Sequence, residues 1–92
     1  MNRLHKKLFR IVDQLQELAE EERAVRQELD MHRAINDDAQ ADAAIGNYID
    51  REEAGLTRMD VLRFERSLAS IDRRRARLDA RRRQLLEKLE KR

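Results

Sequence analysis

The chain has 92 residues, enough for one small domain whose core is thin if it stands alone. It has no Cys, which excludes disulfides and thiolate metal sites, and no Pro, two Gly and 3% aromatics, which argue against a β-rich fold. Charged residues make up 43%, with a net charge of +2, and no apolar run approaches the ~18 residues of a membrane span. The basic N-terminus is not followed by an apolar run, so no signal peptide is expected and a cytoplasmic location is the default.

Asn2 is placed to cap a first helix over about residues 3–35. Its apolar edge runs Leu4, Leu8, Ile11, Leu15, Leu18, Glu22, Val25, Leu29, His32, with steps alternating between four and three residues. That is a heptad seam, the signature of a coiled coil, and a lone helix cannot bury it. Extended further, the seam would take in Asn36, Ala39, Ala43, Gly46 and Asp50, a weak core, so the register is expected to end there. Asn36 followed by Asp37 and Asp38 reads as a new N-cap with acids in the first turn. A short acidic helix is therefore expected over about 37–53, with Ile45, Tyr48 and Ile49 on one side and Gly55 ending it.

Thr57 with Asp60 resembles a capping box, which opens a last helix over about 58–91. Its seam is Val61, Phe64, Leu68, Ile71, Arg75, Leu78, Arg82, Leu85, Leu89. Two matching seams predict an all-α fold, a single domain built as an antiparallel coiled-coil hairpin. If partner numbers add to 93, each a position meets a d position, with Leu15 opposite Leu78 and Leu29 opposite Phe64. That register sets Leu18 against Arg75, Ile11 against Arg82 and Glu22 against Ile71, with Glu22 and Arg75 one layer apart and placed for an ion pair at the seam edge. A shift by one heptad would keep the a–d pairing.

Phe9, Val12 and Leu86 flank the seam near the termini, and Met59 and Leu62 flank it near the connection. Ile45, Tyr48 and Ile49 are expected to cover the second pair. Phe9, Val12 and Leu86 have no evident cover and are the candidate self-association surface, predicting a homodimer of four-helix-bundle type.

Charge is segregated. Residues 1–12 carry +4, residues 73–92 carry +7, and residues 13–72 carry −9. Basic residues at the start of the first helix oppose its dipole, so local stability does not explain them. Arg3, Lys6, Lys7, Arg10, Arg73, Arg74, Arg77, Arg81 and Arg83 are the candidate partner-binding residues, for an acidic protein surface, the acidic part of a second copy or, alternatively, nucleic-acid phosphates. No aromatic residue lies within the run from Arg73 to Arg83, so base stacking is not expected.

Enzymatic constellations are not legible. The histidines are His5 and His32, and Glu28 with His32 makes at most half a metal site. No catalytic, cofactor-binding or metal residues are assigned, and no cofactor is expected. A carboxylate-tipped coiled-coil finger is similar in outline to the secondary-channel regulators of bacterial RNA polymerase. Their tip spacing is not matched, since Asp38 and Asp42 stand four apart. The outline also resembles the coiled-coil stalk proteins of flagellar and type III export, without a specific motif. The expectation is a non-enzymatic, self-associating protein-interaction module, an adaptor or regulator.

Overall fold

The computed structural model describes residues 2–91. Two long helices, α1 (Arg3–Ile45) and α2 (Tyr48–Glu90), pack against each other as an all-α helical hairpin. Asn2 caps α1 as expected, its Oδ1 accepting the His5 amide at 2.9 Å.

The connection is shorter than the sequence suggests. Residues 37–53 do not form a separate helix; they are the end of α1 and the start of α2. Asn36 caps nothing and Gly55 ends nothing, since both lie inside helices. The Ala-rich stretch after Asn36 has high helix propensity, and small side chains let the helix continue beside its partner. The cap of α2 is Asn47, ten residues before the expected Thr57. Asn47 Oδ1 accepts the amides of Ile49 at 3.0 Å and Asp50 at 3.2 Å, and the Asp50 carboxylate accepts the Asn47 amide at 3.3 Å. This is a reciprocal capping box built from Asn and Asp. Gly46 fits beside it because a Cβ there would stand 2.6 Å from the Asp42 carbonyl oxygen and collide with the Asp50 carboxylate.

The chain divides into two compact units, Met1–Glu22 with Ser70–Arg92 and Arg23–Ala69. In the first, Ile11, Leu18, Ile71 and Leu85 are buried. Glu22 and Arg75 form an ion pair, with Glu22 16% and Arg75 32% exposed at the side chain. Beside it Arg74 reaches Glu21 at 3.2 Å. In this unit partner numbers therefore add to 95–97 rather than 93. The reason is electrostatic. The expected register sets Arg75 against Leu18 and Glu22 against Ile71, two charges facing apolar side chains. The observed contacts make the expected pair of the two charges, and Leu18 and Leu78 line one groove beside it.

In the second unit Leu29, Ala54 and Val61 are buried. His32, not Leu29, stacks on Phe64, ring centroids 4.8 Å apart, and holds Glu28 at 3.7 Å. Arg63 lies over the Phe64 ring, 5.2 Å from its centroid, and Arg33 meets Glu65 at 3.7 Å. The seam does continue through Asn36, Ala39 and Ala43, which are half-buried. A polar cluster replaces the missing apolar core. The Gln40 amide donates to Asn36 Oδ1 at 3.0 Å and to the Ala54 carbonyl at 2.9 Å. The Thr57 hydroxyl donates to Asn36 Oδ1 at 2.9 Å, and Arg58 donates to Gln40 Oε1 at 2.9 Å. Each half-buried polar group thus has a partner, as desolvated groups require. Thr57 and Asp60 form no capping box, since Asp60 instead pairs with Arg63 at 3.5 Å. Nor do Ile45, Tyr48 and Ile49 cover Met59 and Leu62; all five remain exposed.

Two substitution sets test this account. Glu22→Leu should lower stability by about 1–2 kcal/mol by stranding Arg75, whereas Glu22→Leu with Arg75→Leu should recover it, read by chemical denaturation. An undiminished Glu22→Leu would show that the pair does not set the register. At the glycines, Gly46→Ala should destabilise, while Gly55→Ala should stabilise the unassociated chain by about 1 kcal/mol, because none of its own atoms lies within 4 Å of a Cβ built there.

Candidate interaction surfaces

The first unit holds the candidate basic residues. At 100° per residue around a helix, Arg3, Lys7 and Arg10 of α1 fall on one flank of its seam, with Lys6 further outward. On α2, Arg74, Arg77 and Arg81 fall on one flank, with Arg73 further outward. A shared groove of about 380 Å³, lined by Gln14, Glu17, Leu18, Glu21, Arg74, Arg77 and Leu78, shows that these flanks lie on the same side. Arg83 does not join them: its helical phase puts it on the opposite flank with Leu86. Arg3, Lys6, Arg10, Arg73, Arg74, Arg77, Arg81 and Arg83 are exposed, and Lys7 is half-buried.

Within this flank the cations divide into two sets. Arg74 is committed to Glu21, and Arg77 lines the groove with Glu17 and Glu21. Arg3, Lys7 and Arg10 come before the first acid of α1, Asp13. The unit as a whole carries fourteen Lys and Arg against nine Asp and Glu, hence +5, and the second unit carries seven against ten, hence −3. The positive field of the first unit is therefore strongest where α1 begins.

Phe9, Val12 and Leu86 lie on the flank opposite the cations and are exposed, Phe9 by 54%. The helix pair does not cover them, because a two-helix seam shields only a narrow stripe. The second unit leaves more outside. Tyr48, Ile49, Leu56, Met59 and Leu62 of α2 are exposed, with Met59 at 66%. Sequence reading named four of these but missed Leu56, and it assigned the others to internal cover. The available signal was their phase, which puts all five opposite the α2 seam.

The bend side of the second unit holds a groove of about 210 Å³ lined by Ile35, Asp38, Ala39, Asp42, Asp50, Glu53 and Thr57. Among the described residues no group of three or more His, Cys, Asp or Glu side chains is arranged to hold a metal ion. Among them, too, no helix is long and apolar enough to cross a membrane. No protein family model, no curated protein and no solved structure matches the chain.

Because Phe9 and Leu86 are exposed, Phe9→Ser with Leu86→Ser should leave thermal stability within about 1 kcal/mol of the parent. A cooperative loss larger than that, followed by circular dichroism, would mean that these residues hold the helices together.

Proposed function

We propose that the chain is a non-enzymatic protein-interaction module that associates with itself and serves as an adaptor or regulator. The observation that carries this reading is the set of large apolar side chains that both units leave outside the seam, Phe9, Val12 and Leu86 in one and Ile49, Leu56 and Met59 in the other. Among the described residues seven apolar side chains are buried, with Ile71 and Leu85 fully so; a hairpin that also exposes this many apolar ones has apolar surface left for a further helix. The charge division between the units supports the same reading, since a field of one sign can steer a partner of the other.

A second reading is supported by the cations of α1 and α2 sharing one flank of the first unit. In it, Arg3, Lys6, Lys7 and Arg10 with Arg73, Arg74, Arg77 and Arg81 hold an anionic partner, with nucleic-acid phosphates as the alternative to an acidic protein surface.

Sedimentation equilibrium of the full chain separates the two. Self-association predicts a dimer or larger species whose affinity weakens at high salt without vanishing, as apolar burial survives when charge is screened. A monomer at every concentration and salt would overturn it. The phosphate reading predicts a DNA or RNA probe shift that falls steeply with salt and is lost in Arg3→Glu with Arg10→Glu.

A further inference from the structure

We infer that the outer face of α2 in the second unit is a self-complementary docking surface for a second copy of this chain, packed antiparallel about a two-fold axis at Met59. This rests on the self-association reading and assigns its contact face. Tyr48, Ile49, Leu56, Met59 and Leu62 share one face of α2, opposite its seam. Exposed apolar side chains gathered on one face of a helix mark an interaction site.

Two further observations identify the occupant. The first is charge. Glu52 lies toward one end of the stripe and Arg66 toward the other, each seven residues from Met59. Among the described residues neither enters an ion pair or a side-chain hydrogen bond. An antiparallel pair centred on Met59 sets Glu52 of one copy against Arg66 of the other, twice by symmetry. It also sets Leu56 level with Leu62 of the other copy. An isologous interface requires this kind of pattern, in which one patch is its own complement.

The second is Gly55. It lies on the same face, four residues from Met59, inside a helix where glycine is unfavourable. Nothing in its own chain needs the missing Cβ, since no atom lies within 4 Å of one built there. A helix of a second copy crossing close to the backbone does need it. The chain's own packing explains Gly46 but leaves Gly55 to the partner.

The chain has no cysteine, so one introduced thiol reports the axis. Met59→Cys should give a disulfide-linked dimer under mild oxidation, because a residue on a two-fold axis meets itself. Met31→Cys, also exposed but on α1, should not. In sedimentation equilibrium Glu52→Arg should weaken the dimer about tenfold, and adding Arg66→Glu should restore it. Gly55→Gln should strengthen the helix yet weaken the dimer, with circular dichroism confirming the fold in every variant. A dimer that ignores all three changes and does not crosslink through Met59→Cys would overturn this face while leaving self-association standing. A parent chain that stays monomeric would overturn both.

Discussion

The pairing of Glu22 with Arg75 governs how the two helices of the first unit are set against each other. An apolar seam is permissive about axial position, because one leucine opposite another is much like the next. A charge inside the seam is not permissive. Placed against Leu or Ile, each member would lose hydration and gain nothing, a cost larger than the difference between two apolar layers. Matched to each other, they cost little and forbid the neighbouring registers.

The second unit reaches the same end by different means. Here the seam runs into Asn36, Ala39 and Ala43, where there is little to bury. Small side chains instead let the backbones come near, and Asn36, Gln40, Thr57 and Arg58 join across the gap through a shared acceptor and the Ala54 carbonyl. Such a network specifies geometry more than it adds stability. The reciprocal cap at Asn47 and Asp50, with Gly46 fitted beside it, then closes the chain reversal in two residues.

Much of this was legible in the sequence. The heptads announced both helices and the hairpin, and Asn2 announced its cap. The bend was misread for a definite reason. Asn36 with two following aspartates, and Thr57 with Asp60, carry the local chemistry of caps, and Gly55 that of a stop. Those preferences are worth about 1 kcal/mol each, and at Asn36 and Thr57 a cross-helix hydrogen bond engages the side chain instead. The true cap, Asn47 with Asp50, carries the same local chemistry but lies inside the helix expected over 37–53, so that expectation leaves no place for it. Of the surfaces, the cations of both helices do gather in one unit. Arg83 parts from them because helical phase, not nearness in sequence, decides which flank a side chain occupies.

The two-residue reversal also bears on how the chain finds its structure. Gln40 and Ala54 are separated by 14 residues and Asn36 and Thr57 by 21, whereas Glu21 and Arg74 are separated by 53. Closing a short loop forfeits less chain entropy than closing a long one, and each contact made shortens the loop left for the next. The hairpin is thus built to zip from its reversal toward its termini. On this view the polar cluster around Gln40 belongs to the folding nucleus, while the Glu21–Arg74 pair forms late and acts as a brake on unfolding. Substitutions at Gln40 would then slow refolding, and those at Arg74 would mainly hasten the fraying of the ends.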